Sequence, residues 1–169
     1  MRQLLGNALY IAEENIYSLE DFFIGFSREI EELHCWGNCL TTLKGCPQSV
    51  KKLYCGYNKL TCLEGCPTNL ELLECENNEI QSLIDCPQQL THLFCAGNKL
   101  TNLEGCPKNL TFLDCSDNKI TNFTGCSQKL RVLHCRNNLI TSKKDCPPIS
   151  DVLDLTGNPI TDYDFTPKL

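Results

Sequence analysis

The sequence predicts a solenoid of short stacked coils, with one parallel β-sheet along one side and no helices on the other. Three kinds of residue return every 20 positions without a gap. Cysteine forms two such columns, at Cys35, Cys55, Cys75, Cys95, Cys115 and Cys135, and at Cys46, Cys66, Cys86, Cys106, Cys126 and Cys146. Asparagine and leucine form two more, at Asn38, Asn58, Asn78, Asn98, Asn118, Asn138 and Asn158, and at Leu33, Leu53, Leu73, Leu93, Leu113, Leu133 and Leu153. Seven units in one register indicate a repeat architecture, since one unit cannot bury its apolar side alone.

Each unit begins with a predicted β-strand of the form L-x-x-L-x-C, as in residues 70–75. Its last positions alternate between apolar and variable residues, as a short strand with one buried face does. The asparagine that follows closes the strand, where its amide can bond to free backbone groups as the chain turns. In a stack, each asparagine can also serve the next coil, which predicts an asparagine ladder along the solenoid.

The remainder of each unit predicts an extended or turn-like return path. An x-L-x-x-L segment sends two apolar side chains back to the interior, and Gly-Cys-Pro then turns the chain, as at Gly105, Cys106 and Pro107. Glycine permits unusual dihedral angles, and proline fixes φ and disfavours a helix. Because 20 residues per coil leave no room for a full helix, we expect a non-helical convex side.

Length and charge narrow the class of protein. The 169 residues suffice for one domain with a substantial core, and 41% of them are hydrophobic, as is usual for a folded soluble chain. Asp and Glu number 21 against 15 Lys and Arg. The net charge of −6 argues against nucleic acid or an anionic membrane as the main partner. No apolar run approaches the roughly 20 residues of a membrane-spanning helix.

The 14 cysteines allow three interpretations, namely a disulfide scaffold, a metal site, or reduced thiols that line the core. Stacking in register would place neighbouring thiols about 4.8 Å apart with parallel Cα–Cβ directions, a poor approach for a disulfide. No C-x-x-C pair occurs, and a ladder does not converge on one metal ion. We therefore predict buried reduced thiols, no metal, no cofactor and an intracellular reducing compartment. Cys39 and Cys62 lie outside the columns, at positions predicted to face solvent, and are the candidates for a reactive thiol.

Residues 1–29 depart from the repeat and predict an N-terminal cap within the same domain as the seven repeats of residues 30–169. Ser18 followed by Asp21 has the form of a helix start, so we expect a helical cap. Residues 23–27 align with L-x-G-C-P, and Phe26 in the cysteine column would close the end of the core. A signal peptide is the alternative interpretation of the first residues, although the apolar run there is short.

The seventh repeat is predicted to serve as the C-terminal cap. Leu155 takes the place of cysteine in its column, and Pro159 follows the asparagine. Tyr163 and Phe165 are available to cover the last coil. Atypical terminal repeats are expected in a solenoid, because the outer side of the last coil faces water.

The side chains on either side of each buried leucine point out of the sheet. Aromatic residues cluster there near the first coils, and a diagonal of further aromatic and apolar residues crosses the middle, with carboxylates beside both. Exposed aromatics beside carboxylates suit a protein interface, where aromatics anchor and charges select the partner. Strand propensity alone is the alternative explanation of the aromatics. The predicted partner-binding residues are Trp36, Tyr54, Tyr57, Leu72, Glu74, His92, Phe94, Phe112, Asp114 and His134.

The unit L-x-x-L-x-C-x-x-N-x-L resembles the leucine-rich repeat signature, with cysteine where many members carry a third leucine. Its length and proline position resemble the short repeats of bacterial effector proteins, and its Gly-Cys-Pro form is similar to repeat proteins of giant amoeba viruses. The resemblance covers residues 30–169 and implies a leucine-rich repeat solenoid with the parallel sheet on its concave face. For a viral chain it implies a location in the host cytoplasm or packaged within the virion.

We interpret the chain as a non-catalytic module that binds another protein through the exposed strand residues, with no nucleic-acid or membrane partner. A structural or virion-packing role is one alternative, and a thiol-redox protein is another. The fold carries many unrelated binding roles, so the assignment to protein binding depends on the exposed residues rather than on the fold.

Overall fold

The computed structural model describes residues 2–161, which form a single nine-stranded β-sheet whose strands follow one another in chain order. The strands are β1 (Gln3–Leu5), β2 (Ala8–Tyr10), β3 (Glu32–His34), β4 (Lys52–Tyr54), β5 (Leu72–Glu74), β6 (His92–Phe94), β7 (Phe112–Asp114), β8 (Val132–His134) and β9 (Val152–Asp154). β1 and β2 are antiparallel, and every later pair is parallel, with central leucines opposite one another, as Leu93 is to Leu113. The predicted parallel-sheet solenoid is confirmed.

The core is a set of apolar columns that run along the inside of the stacked coils. The leucine at the centre of each strand from β3 to β8 is fully buried, and so is the cysteine two residues later. The leucine or isoleucine two residues after each asparagine from Asn38 to Asn138 is buried as well, as Leu100 is, whereas Ile160 is only partly buried. Leu153 in β9 is 42% exposed, since no described coil stacks on it. Tyr163 and Phe165, predicted to cover the last coil, lie outside the described residues.

The convex side consists of turns, as predicted. Within residues 2–161 there is one helix, α1 (Leu19–Phe22), and it is too short to cross a membrane. In each Gly-Cys-Pro segment the chain turns tightly; the Cys106 N–H donates to the Leu103 carbonyl at 3.0 Å. Gly105 has a φ of +88°, and a Cβ there would overlap the backbone of Leu83 in the preceding coil. Glycine is therefore needed both for its dihedral angle and for the close approach of the coils.

The N-terminal segment is mostly strand and turn with one short helix, so the prediction of a helical cap is not confirmed. β1 and β2 form an antiparallel hairpin, and α1 is only four residues long. Ser18 does begin this turn, because its hydroxyl accepts a hydrogen bond from the Asp21 N–H at 3.2 Å. Pairing of β2 with β3 satisfies the backbone groups that the first repeat would otherwise leave at an open sheet edge. Phe26 packs against the core and is partly buried.

The segment around β2 is itself a coil with a four-residue insertion. Leu9, Ile11 and Ile16 occupy the leucine, cysteine and third apolar columns, and all three are buried. The Ile16 N–H donates to Asn38 Oδ1 at 3.0 Å, as the corresponding N–H groups do in later coils. Leu9 precedes Leu33 by 24 residues rather than 20, and the four residues of α1 account for the difference.

Buried asparagines bond each coil to its neighbour. The Asn98 amide donates to the carbonyls of Cys75 and Cys95 at 3.0 and 3.1 Å, and its oxygen accepts from the Ile80 N–H at 2.9 Å. The same bonds recur at Asn58, Asn78, Asn118 and Asn138. Across residues 2–161, no buried side-chain nitrogen or oxygen lacks a hydrogen bond.

Replacing Asn98 by alanine would leave the Ile80 N–H inside the solenoid without a partner, whereas the Cys75 and Cys95 carbonyls would each keep one donor, from Asn78 and Asn118. We expect the free energy of unfolding to fall by about 2 kcal/mol, since one unpaired buried group costs roughly 1–3 kcal/mol. Asn69→Ala is the matched control, because Asn69 is an exposed turn residue. Urea unfolding followed by circular dichroism compares the two variants, and equal stabilities would contradict the role given to the asparagines.

Candidate protein-binding surface

The candidate site lies on the side of the sheet that faces away from the core. In each three-residue strand the middle leucine points inward and its two neighbours point outward. Because the strands stack in register, the outward residues form columns, such as Tyr54, Glu74 and Phe94. We call the strand face the outward side chains of β2–β9 together with the two residues after each buried cysteine. All ten predicted binding residues belong to it.

Three rings from neighbouring strands stack on one another at the N-terminal end of the strand face. The His34 ring centroid lies 4.1 Å from that of Tyr10 and 4.2 Å from that of Tyr54, with interplanar angles of 11° and 4°. His34 Nε2 is also 2.7 Å from Glu32 Oε1, within hydrogen-bond distance. Burial raises the pKa of Tyr54, and the carboxylates of Glu32 and Glu74 add to this. We call Tyr10, His34 and Tyr54 the N-terminal stack.

Tyr10 is a member of this stack that sequence reasoning missed. The sequence does contain a pattern that predicts this strand, because Leu9-Tyr10-Ile11 shows the same alternation as the Leu-x-Cys segment of the later strands. It was obscured by the 24-residue spacing to the next leucine. The segment also lacks the asparagine that closes the strand in the later units, since Glu14 stands at that position.

Phe112 is at the centre of a second aromatic group in the middle of the strand face. Its ring centroid lies 4.7 Å from that of Phe94, 6.0 Å from that of His92 and 5.9 Å from that of His134. Leu72 lies opposite His92 in the register of β5 and β6. We call Phe94, Phe112, His92 and His134 the central cluster. The structure thus brings together most of the predicted diagonal, with two histidines added to it.

Two half-buried carboxylates, Glu74 and Glu76, separate the N-terminal stack from the central cluster. Neither forms an ion pair with any residue in the described part of the chain. Burial raises the pKa of both carboxyl groups. The charge of Glu76 raises the pKa of Glu74 further, and that of Asp114 does the same for Glu76. Glu76 is one of the carboxylates that flank the predicted aromatic diagonal, but it was not among the predicted binding residues.

A cavity of about 170 Å³ opens on the strand face beside these carboxylates. Its floor is Gly56, which is buried and lies in the column between Trp36 and Glu76. The φ of Gly56 is not in the left-handed region, so the backbone does not require glycine there. A Cβ on Gly56 would lie 3.2 Å from Glu76 Oε2, inside the cavity. We call this cavity the notch; it is lined by His34, Trp36, Tyr54, Gly56, Tyr57, Glu74 and Glu76.

The thiols of the cysteine columns are mostly buried in this structure. All 14 thiols of the chain are free, 11 of them are buried, and Cys39, Cys62 and Cys146 are half-exposed. Burial raises the pKa of Cys46 to about 12 and that of Cys106 to about 11, which suppresses the nucleophilic thiolate. Cys39 and Cys62, predicted to face solvent, are only half-exposed, because adjacent coils at the strand spacing flank even outward side chains. Residues 2–161 hold no group of three or more potential metal ligands close enough to share an ion.

Brief alkylation of the native protein with iodoacetamide should modify Cys39 and Cys62 first. We expect the 11 buried thiols to be protected until the protein unfolds, because burial keeps the reagent away from them. Cys146 is half-exposed but has a pKa raised by burial, so it should react after Cys39 and Cys62. Peptide mass spectrometry without reductant gives the modified positions and any disulfides. Protein unfolded in urea is the control, in which all thiols should react alike. Modification of Cys95 as fast as Cys62, or a disulfide between column cysteines, would contradict the prediction.

Glu76→Gln should stabilise the protein at neutral pH. The folded state raises the pKa of Glu76 above its ordinary 4.5, so the ionised carboxylate weakens the fold once the pH exceeds the folded-state value. We expect a gain of only about 0.5 kcal/mol at pH 7, since solvent screens a half-exposed charge. The gain should vanish below the ordinary carboxyl pKa, which urea unfolding at both pH values would measure.

Glu79→Gln is the control of opposite sign. Its hydrogen bond with Lys99, at 2.7 Å, lowers the pKa of Glu79, so this carboxylate stabilises the fold at neutral pH and loses that effect in acid. If Glu76→Gln lowered the stability at pH 7 as Glu79→Gln does, the unfavourable burial of the Glu76 charge would be the wrong description.

Comparison with known proteins identifies the repeat. Residues 88–125 match the family model for leucine-rich repeats in two copies. The chain is similar to YopM from Yersinia enterocolitica WA-314, with a TM-score of 0.68 and 24% identity over 79% of this chain and 34% of that one. It is also similar to the functional domain of InlJ from Listeria monocytogenes, which includes a cysteine ladder. The TM-score there is 0.58, with 27% identity over 80% of this chain and 36% of that one.

The similarity to these two proteins extends over part of each. The chain spans about a third of the length of YopM and of the InlJ domain. No curated protein sequence matches it significantly. The family match and the two structural similarities agree with the stacked parallel strands and the 20-residue columns. The chain therefore has the leucine-rich repeat fold.

Proposed function

We propose that the chain is a non-catalytic protein–protein interaction module that binds its partner through the strand face. The observation that carries the proposal is the pair of aromatic groups on this face, the N-terminal stack and the central cluster, with Trp36 and Tyr57 beside the first. None of these rings belongs to the core columns. Leucine-rich repeat proteins serve as interaction modules, and the similarity to YopM and InlJ supports the same class of role.

The physical character of the face supports protein binding. Trp36 is 40% exposed and Tyr57 is 64% exposed, so both have apolar area that a partner would remove from water. Aromatic side chains held on a rigid scaffold lose little conformational entropy on binding and dominate the energy of many interfaces. Eight parallel strands at about 4.8 Å spacing give a face roughly 34 Å long. Six residues of each coil at about 3.3 Å per residue make the face roughly 20 Å wide, so it covers about 680 Å². This is close to the about 800 Å² per partner of a standard interface.

The same observations weigh against the other roles. A thiol-redox protein needs an accessible thiolate, whereas burial raises the pKa values of column cysteines such as Cys46 and Cys106. A nucleic-acid partner needs a basic surface, but carboxylates outnumber cations on the strand face. We propose a reducing compartment for the protein, since it keeps its cysteines in its core as thiols.

Phe112→Ala tests the proposal. Phe112 joins the rings of the central cluster but lies outside the core, so the variant should fold, as circular dichroism would verify. A tagged chain is used to capture partners from a lysate of cells that contain it. We expect recovery of the partner to fall about tenfold or more, the effect of losing an interface hot spot.

Ile84→Ala is the matched control, because Ile84 is a large exposed apolar residue on the convex side. The control should capture the partner as the unmodified chain does. If Ile84→Ala abolished capture while Phe112→Ala left it intact, the convex side would be the binding surface and the proposal would be wrong.

A further inference from the structure

The notch has a shape that suits one flat side chain. Trp36 and Glu76 flank Gly56 from the two neighbouring coils, so their backbones lie about 9.6 Å apart at the strand spacing. Gly56 contributes no side chain to fill the gap. A planar group can enter this space, lie against the indole of Trp36 and reach the carboxylate of Glu76 at its edge. Tyr54 and Tyr57 provide further aromatic lining.

The chemistry of the lining favours a cation. Aromatic faces attract positive charge, and the two carboxylates of the notch have no ion-pair partner within residues 2–161. A cation between Glu74 and Glu76 would relieve the repulsion between them, which is consistent with the raised pKa of Glu74. The anionic lining equally disfavours a phosphate or a carboxylate as the occupant.

The rest of the strand face differs from the notch in this respect. Glu32 has Lys52 at 3.8 Å, and Asp154 has Arg136 at 3.7 Å. Those two carboxylates are already partly neutralised by cations of the same chain. Asp114 and Asp117 also form no ion pair within residues 2–161, but Arg136 lines the same cavity as these two aspartates. None of the described residues that line the notch is a lysine or an arginine, so a partner's positive charge would be complementary there.

We propose that the notch binds the guanidinium group of an arginine side chain that the protein partner presents, an inference that rests on the proposed function. Guanidinium is planar, stacks on aromatic rings and donates several hydrogen bonds in one plane. It can lie against Trp36 while it donates to Glu74 and Glu76. Lysine carries the same charge without the planar group, so it fits the stacking part of the notch less well.

Trp36 provides the readout, because it is the one tryptophan of the chain and it lines the notch. The probe is the peptide acetyl-Gly-Ser-Arg-Ser-Gly-amide at low ionic strength, titrated while the Trp36 fluorescence is followed. We expect a saturable change with a Kd in the millimolar range. The citrulline peptide has nearly the same shape without the charge, and it should bind at least tenfold more weakly. Equal binding of the two peptides, or no saturable change with arginine, would overturn the inference.

Two variants locate the binding. Glu76→Gln removes one carboxylate, and Gly56→Ala places a methyl group in the notch at a backbone conformation that alanine can adopt. Each should weaken arginine-peptide binding at least fivefold, while Asp117→Asn, which removes a carboxylate elsewhere on the strand face, should leave it unchanged. Unfolding curves verify that the variants are folded. If the Gly56→Ala variant does not fold, the Glu76→Gln variant alone tests the inference. Unaltered binding to Glu76→Gln would refute the inference, as would a lysine peptide that binds as tightly as the arginine peptide.

The outcome separates this inference from the proposed function. If a partner is captured through Phe112 but the arginine peptide does not bind, the arginine inference fails and the interaction module stands. If the arginine peptide binds as expected while Phe112→Ala captures its partner normally, the notch stands and the central cluster is not part of the interface.

Discussion

Register between neighbouring coils is the constraint on which the rest of the structure depends. Side chains alternate along a strand, so a shift of one residue would turn the leucine column toward water and the variable columns toward the core. Two independent interactions fix the register. First, the central leucines of neighbouring strands pack against one another. Second, each buried asparagine, such as Asn98, donates to a carbonyl of its own coil and to one of the preceding coil, and it accepts from an N–H of the preceding coil. The second is the more specific, because a misplaced amide would leave buried backbone groups unpaired.

This constraint explains why the chain accepts so many cysteines. The cysteine columns lie where the coils leave the strand and where they turn back, and both positions hold an apolar side chain next to backbone that is already hydrogen-bonded. Cysteine fills such a site as a small hydrophobe. The consequence is chemical as well as structural, since a core lined with thiols is compatible with a solenoid only while neighbouring sulfurs remain unoxidised. The buried free thiols are the observation that supports the reducing compartment proposed for the protein.

Residues that repeat without exception could be predicted from the sequence, whereas features that depend on an irregularity could not. The leucine, cysteine and asparagine columns gave the parallel sheet, its register and the strand face. The coil around β2 was missed because the four residues of α1 interrupt the 20-residue period, and Tyr10 was missed with it. The notch was missed for a different reason. The notch is present because Gly56 has no side chain, and a single glycine in a variable column does not predict a cavity. The cavity is recognised only when Trp36 and Glu76 are seen on either side of Gly56 in the structure.

The carboxylates beside the notch are the part of the face that folding accounts for least. The outward columns tolerate aromatic, aliphatic and small residues at equivalent places, as Phe94 and Ala96 show one coil further on. Glu74 and Glu76 instead place two negative charges close together in a half-buried setting, where burial disfavours the ionised form. Local conflicts of this kind in an otherwise consistent structure tend to occur at functional sites. A guanidinium would convert the conflict into charge-assisted hydrogen bonds. Because in-register stacking sets the width of the notch, the site is formed before its partner arrives, which reduces the entropy lost on binding.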